Sequence, residues 1–113
     1  MVIVKDKVTL SELKEMAQKM FGNIVKAVVD TEKEIIAVDA PMHADQEAEL
    51  INKGSRQENL WGINLYPGKS GSDFIEFDSI INLKPNQNNR TRGIDDLKIR
   101  EKIIKIVEKL VQK

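Results

Sequence analysis

The sequence predicts an α+β fold in which an antiparallel sheet of four to five strands, built from two hairpins, is packed with three helices on one face. Three stretches repeat apolar residues every three or four positions, and a capping residue or a glycine marks an end of each stretch. Between them lie two pairs of β-prone runs, each pair joined by turn-forming residues. The resulting order of helix, two strands, helix, two strands and helix favours this packing.

Composition sets the size and class of the protein. The chain has 113 residues, and we expect one domain spanning residues 1–113. Lys and Arg total 18, as do Asp and Glu, and this zero net charge argues against nucleic acid as a partner. The sequence has no Cys, which excludes disulfides, thiolate nucleophiles and Cys zinc sites. Its apolar runs are far shorter than the roughly 20 residues of a membrane helix, so we expect a soluble, cytoplasmic protein without a membrane partner.

The first helix is expected at residues 10–21. Thr9 and Glu12 have the spacing of a capping box, in which each side chain pairs with the other residue's backbone N–H. Gly22 stands where a left-handed C-terminal cap is common. A short β-prone run at residues 2–4 precedes this helix and predicts an edge strand.

Two hairpins account for the predicted sheet. The first pairs residues 24–30 with 34–39 across a polar turn, and the second pairs 61–66 with 74–83 across a Pro, Gly and Ser segment. In the second hairpin, alternation along each strand places one set of side chains in the core: Trp61, Ile63, Leu65, Ile75, Phe77, Ser79, Ile81 and Leu83. The opposite side of these strands is polar and carries Asn64, Tyr66, Glu76, Asp78 and Asn82.

The remaining helices are marked by their ends. A mostly exposed helix is expected over residues 43–53, before Gly54, with Ala44, Ala48 and Ile51 on one face. After a polar loop at residues 85–93, Asp95 or Asp96 should cap the last helix. The buried face of that helix should contain Ile99, Ile103, Ile106 or Val107, and Leu110.

The chain resembles a family of short, uncharacterised prokaryotic proteins that is classed only as a domain of unknown function. The matching stretches are KAVVD (26–30), IIAVDA (35–40), HAD (43–45), LWGINLYP (60–67), DFIEFDS (73–79) and NRTR (89–92). The resemblance covers nearly the whole chain from about residue 8. It implies a single-domain member of the family, and it brings no catalytic or binding residue with it.

A first candidate site lies on the polar side of the second hairpin and on the loop that follows it. Its candidate binding residues are Asn64, Glu76, Asp78, Asn82, Arg90 and Arg92. Arg90 and Arg92 precede a helix N-terminus, where their guanidinium groups could bind a phosphate or carboxylate. The alternative is that both arginines form ion pairs that hold the loop against the acidic helix at residues 43–53 or against Asp95 and Asp96.

A second candidate site is a metal-binding site. Asp39 ends a predicted strand, while His43 and Asp45 open the following helix, and Glu76 and Asp78 lie on a strand that could neighbour them. Carboxylates with one imidazole suit Mg²⁺, Mn²⁺ or Zn²⁺, whose bound water could attack a phosphoryl or acyl centre. The alternative is that Asp45 only compensates the dipole at the helix N-terminus and that His43 only caps the helix. No recognised metal motif is present.

Charge is unevenly distributed along the chain. Residues 30–49 carry a net charge of −6, and residues 84–113 carry +5. These segments would pair within one molecule or between two copies, and an exposed edge strand would also allow a homodimer. Our first hypothesis is a small cytoplasmic binding or interaction module, and the alternative is a hydrolase that depends on a divalent metal. The sequence leaves open whether the protein is an enzyme.

Overall fold

The computed structural model describes residues 1–113 and contains three helices and a five-stranded antiparallel sheet, which confirms the predicted α+β class. The helices are α1 (Leu10–Met20), α2 (His43–Asn52) and α3 (Leu97–Leu110). The strands are β1 (Val2–Val4), β2 (Val8–Thr9), β3 (Val25–Asp30), β4 (Ile35–Val38), β5 (Leu60–Leu65), β6 (Ile75–Glu76) and β7 (Val111–Gln112). The main sheet has the order β1-β4-β3-β5-β6, and β2 and β7 form a separate parallel pair.

Helix α1 begins at the predicted capping box. The Glu12 backbone N–H donates to Thr9 Oγ1 over 3.0 Å, and the Thr9 N–H donates to Glu12 Oε1 over 3.0 Å. After the helix, Gly22 has a φ of +91° and its N–H returns to the Ala17 carbonyl, as in a left-handed C-terminal cap. The predicted start and end of this helix are therefore confirmed.

A buried aspartate stabilises the turn between β3 and β4. Asp30 Oδ1 accepts hydrogen bonds from the backbone N–H groups of Glu32 and Lys33, and Asp30 Oδ2 accepts one from the Ser55 hydroxyl. These three donors replace the water that the carboxylate loses on burial. Strand β1 pairs with β4 at one edge of the main sheet, so the predicted edge strand is confirmed.

Helices cover both faces of the sheet, so the prediction that they lie on one face was wrong. Helices α1 and α3 pack with Ala27, Trp61 and Ile63 in the main core. Helix α2 lies on the other face, where Leu50 packs with Val28, Ala37 and Leu60. The physical reason is that β3 and β4 are apolar on both faces, and such continuous runs are typical of strands that are buried on both sides.

The predicted strand over residues 74–83 was also wrong, because β6 contains only two residues. After β6 the chain crosses β5 on the α2 face, and Ser79 lies so close to Gly62 that a Cβ on Gly62 would overlap it. The Asn82 side chain then pairs with both backbone groups of Gly62, and Lys84 Nζ donates to the Leu60 carbonyl over 2.8 Å. Two side chains thus replace the hydrogen bonds that a longer β6 would have supplied.

Helix α3 begins at Asp96, whose carboxylate accepts from the Lys98 N–H over 2.8 Å. Its predicted buried face is confirmed, with Ile103, Ile106, Val107 and Leu110 in the core and Ile99 partly buried. The parallel pair of β2 and β7, which the sequence did not predict, joins the segment before α1 to the segment after α3. No helix combines the length and the apolar character needed to span a membrane.

Candidate functional site

Helix α2 places polar side chains over the centre of the sheet. His43 Nε2 donates to the Ile63 carbonyl over 2.8 Å, and Gln46 Nε2 donates to the Lys26 carbonyl over 2.8 Å. The predicted apolar face of this helix was wrong, since Ala44, Ala48 and Ile51 are all exposed. The buried positions are instead His43, Gln46 and Leu50.

The protonation state of His43 follows from its partner. A carbonyl oxygen only accepts, so Nε2 must carry the proton, and in the neutral ring Nδ1 keeps a lone pair. Burial lowers the pKa of His43, the hydrogen bond to Ile63 opposes this, and the positive charge of Lys26 adds to the lowering. The imidazole is therefore neutral near pH 7.

Beside α2, the uncovered part of β5 and β6 forms a cluster that we call the polar surface, defined by Asn64, Tyr66, Glu76, Asp78 and Arg92. Asn64 Nδ2 and the Tyr66 hydroxyl both donate to Glu76 Oε1, over 2.8 Å and 3.1 Å. Arg92 Nε donates to Asp78 Oδ1 over 2.8 Å, and Asp78 also offers its carbonyl to Asn64. The structure therefore brings together four of the six predicted binding residues.

The hydrogen-bonding capacity of the polar surface is incompletely used. Asn64 is only 6% exposed, and its Oδ1 is buried without a partner. The amide cannot be reversed, because both groups that meet Nδ2 are acceptors. Glu76 takes both of its hydrogen bonds on Oε1 and makes no ion pair. The exposed Glu76 carboxylate therefore has an oxygen without a donor, and the unpaired Asn64 Oδ1 is covered beside it.

Tyr66 belongs to this surface through its hydroxyl. Partial burial raises the pKa of Tyr66, and the hydrogen bond to Glu76 and the negative charges of Glu76 and Asp78 raise it further. The phenol therefore stays protonated and keeps donating to the Glu76 carboxylate. That donor fixes the position of the carboxylate without neutralising its charge.

Asn82, predicted as an exposed binding residue, is instead fully buried. Its amide pairs with the N–H and the carbonyl of Gly62 and donates to the Arg92 carbonyl, over 2.8 to 2.9 Å. The prediction of exposure assumed that residue 82 alternates on a long strand, and that strand is absent. All of the side-chain polar atoms of Asn82 serve the fold.

Arg90 and Arg92 do not converge on one anion. Arg92 pairs with Asp78, while Arg90 is exposed and meets Asp95 only through its backbone N–H. The N-terminus of α3 is already served by Asp96. The loop itself is held by Asn89, whose amide nitrogen donates to three carbonyls and whose oxygen accepts from the Asp95 N–H.

The candidate metal ligands Asp39, His43 and Asp45 are not brought together, and the structure contains no group of three or more His, Asp or Glu side chains that could hold a metal ion. Asp39 lies beside Lys19, with 3.4 Å between Nζ and Oδ1. Asp45 is exposed on the first turn of α2, whereas His43 faces the sheet. Two residues that are two positions apart on a helix do not share a face, which explains the separation.

The two charged segments of the chain lie largely apart. Acidic residues 43–49 are on α2, and most of the basic residues of the C-terminal segment are on α3, which packs on the opposite face of the sheet. One ion pair joins the segments, between Lys109 Nζ and Glu34 Oε1 at 2.7 Å. Pairing within one molecule is therefore limited to a single exposed contact.

Sequence reasoning missed two buried polar residues. Gln46 binds the sheet from α2, and Lys84 donates from Nζ to the carbonyls of Gln57 and Leu60 while lying 4.6 Å from the centre of the Trp61 ring. Burial lowers the pKa of Lys84. Nothing in the local sequence distinguishes either residue from an exposed one, because their burial depends on how the chain crosses β5.

Comparison with known families supports the resemblance seen in the sequence. The model of a family described as "Protein of unknown function (DUF5674)" matches residues 2–110. No curated protein and no solved structure matches the chain. The family description names no activity, so any function must be argued from the geometry of the site.

Proposed function

The chain belongs to this family of proteins of unknown function, and we propose that it is a small binding module whose polar surface takes a cationic hydrogen-bond donor, such as an ammonium or guanidinium group. The proposal keeps the binding-module hypothesis and the cytoplasmic location that were expected from the sequence. It adds the chemistry of the ligand, which follows from the unused acceptors on β5 and β6.

The observation that carries the proposal is the unpaired Oδ1 of Asn64. A buried acceptor without a partner costs about 1–3 kcal/mol, and such atoms are rare in folded proteins. The oxygen is covered in the free protein, so a ligand N–H reaches it only when a neighbouring side chain moves aside, and the new hydrogen bond would then remove that cost. The Asn64 side chain reaches into the polar surface, because its amide nitrogen is bound to Glu76 and to the Asp78 carbonyl.

The charge of the ligand is argued from Glu76. Its carboxylate is held by two uncharged donors, Asn64 and Tyr66, and its Oε2 makes no hydrogen bond within the protein. A cation with several N–H groups could meet Glu76 Oε2 and Asn64 Oδ1 together, and hydrogen bonds between ionised partners are the strong ones. Asp78 is already paired with Arg92, so Glu76 is the carboxylate available to a ligand.

Titration of the ¹⁵N-labelled protein with ethylguanidinium and ethylammonium, followed by NMR, tests the proposal. We expect saturable shifts in the amides of Asn64 and Glu76 that sodium chloride at equal ionic strength does not reproduce. Glu76→Gln should weaken binding at least about threefold, because an exposed ionic contact is lost. The matched control is Glu34→Gln, which removes an exposed carboxylate from the turn between β3 and β4 and should leave the affinity unchanged. Equal weakening by both variants would overturn the proposal, as would shifts that sodium chloride reproduces.

A further inference from the structure

A groove opens between β6 and α3, on the face of the sheet opposite to the polar surface. Helix α3 is 14 residues long and β6 only two, so the flank of the helix is left uncovered. The groove encloses about 730 Å³, a volume within the range of small-molecule sites. Its apolar lining comes from both sides, with Phe74, Ile75 and Phe77 from the sheet edge and Ile104, Val107 and Val111 from the C-terminal segment.

The floor of the groove belongs to the main core. Phe74, Val107 and Val111 are buried, while Ile75, Phe77 and Ile104 are only partly covered. The groove therefore exposes part of the core to solvent. Its partly exposed side chains are apolar, and contact between apolar surface and water is unfavourable. The rim carries three charged residues: Arg100, Glu108 and Lys113.

Arg100 is held in place without a counter-charge. Its Nε donates to the Ile94 carbonyl, and its guanidinium lies 5.1 Å from the centre of the Phe77 ring. None of the four ion pairs of the protein includes Arg100. Arg100 lines the groove, its remaining N–H groups are not paired with any carboxylate, and its fixed position lowers the entropic cost of binding an anion.

We propose that this groove binds an aliphatic carboxylate, with its hydrocarbon chain against Phe74, Ile104 and Val107 and its carboxylate on Arg100. This site is separate from the polar surface and goes beyond the function proposed for it. Arg100 sets the position of the carboxylate, because it is the rim cation without a counter-charge. Glu108 lies eight residues beyond it, about 12 Å along the helix, and its negative charge offsets that of the third rim residue, Lys113. A planar carboxylate also matches the paired N–H groups of a guanidinium.

Titration with octanoate, whose extended chain has a comparable length, tests the inference by NMR below the micellar concentration. Saturable shifts are expected at Phe74, Phe77 and Ile104, while acetate and octyltrimethylammonium should produce at most a small fraction of them. Arg100→Gln should weaken octanoate binding about tenfold, since a charge-assisted hydrogen bond is lost. Lys105→Gln, which removes a charge from the exposed face of the same helix, is the matched control and should leave the affinity unchanged.

Five results would overturn the inference. Acetate could shift the groove residues as strongly as octanoate, or octyltrimethylammonium could bind equally well. The two charge variants could weaken binding to the same extent, which would indicate a general field effect. Finally, the free protein could sediment as a dimer that protects the groove residues, which would assign the groove to a second copy of the chain. Ile104→Asn adds a variant that keeps Arg100 in place and should weaken octanoate binding, whereas unchanged affinity would also count against the inference.

Discussion

Replacing Asn82 by leucine should destabilise the protein more than any surface change. The side chain is fully buried and forms three hydrogen bonds, two with Gly62 and one with the Arg92 carbonyl. Leucine has a similar size but leaves the N–H and the carbonyl of Gly62 without partners, at about 1–3 kcal/mol each, while the Arg92 carbonyl keeps its hydrogen bond from the Ser79 N–H. After partial relaxation we expect a loss of about 3–5 kcal/mol, at the upper end of single-substitution effects.

Urea unfolding followed by Trp61 fluorescence measures this loss. For a slope of about 1–3 kcal/mol per molar, 3 kcal/mol lowers the midpoint by about 1–3 M. Asn86→Leu is the matched control, because Asn86 is exposed in the following loop, and it should change the free energy of unfolding by less than about 0.5 kcal/mol. A loss below about 1 kcal/mol for Asn82→Leu would refute the argument that side chains replace the missing strand at the edge of β5.

Three further predictions follow from single contacts. Gly62→Ala should cost about 2 kcal/mol or more in urea unfolding through overlap with Ser79, and Ser79→Gly in the same chain should restore part of that loss. Because burial lowers the pKa of His43 below its usual 6.5, the unfolded state binds more protons below that pH. The free energy of unfolding should therefore fall as the pH drops from 7 through 6.5 towards the lower pKa of the folded state, and His43→Gln should flatten this dependence. Glu34→Gln, which breaks an exposed ion pair with Lys109, should leave the urea midpoint unchanged, and a clear loss would show that the pair stabilises the fold.

Local sequence signals predicted the elements that depend on neighbouring residues. The capping box of α1, the Asp30 turn and the Asp96 cap each involve partners within three residues, so their geometry follows from spacing alone. The alternation of Trp61 and Ile63 placed β5 correctly for the same reason. Each of these contacts joins residues that are close in the sequence, so the local backbone conformation is enough to form it.

Contacts between distant parts of the chain were not predictable in this way. Apolar and polar residues alternate over residues 74–83, as they do in a strand. The chain nevertheless crosses β5 there, because Gly62 leaves room for Ser79 and Asn82. That crossing joins residues about 20 positions apart, and alternation carries no information about it. The continuous apolar runs of β3 and β4 did contain a signal for two-sided burial, and that signal indicates helices on both faces of the sheet.

The proximity of the candidate binding residues was predicted in part for the right reason. Asn64 and Glu76 lie directly opposite each other where β5 and β6 are paired, and Asp78 follows β6 and accepts from Asn64 through its carbonyl. Arg92 joins them from the loop by pairing with Asp78; the sequence left open whether its guanidinium would bind an anion or an acidic residue of the protein. The candidate metal ligands lie apart because Asp39 is paired with Lys19, His43 is bound to the sheet, and Asp45 is exposed on another face of α2.

A crystal structure of the protein soaked with ethylguanidinium is the most direct test of the central claim, that Asn64 and Glu76 form a site for a cationic donor. Our account predicts density for the ligand with N–H groups at about 2.8–3.0 Å from Asn64 Oδ1 and from the Glu76 carboxylate. A single ordered water on Asn64 Oδ1 in the soaked crystal, with no ligand density at the polar surface, would contradict it.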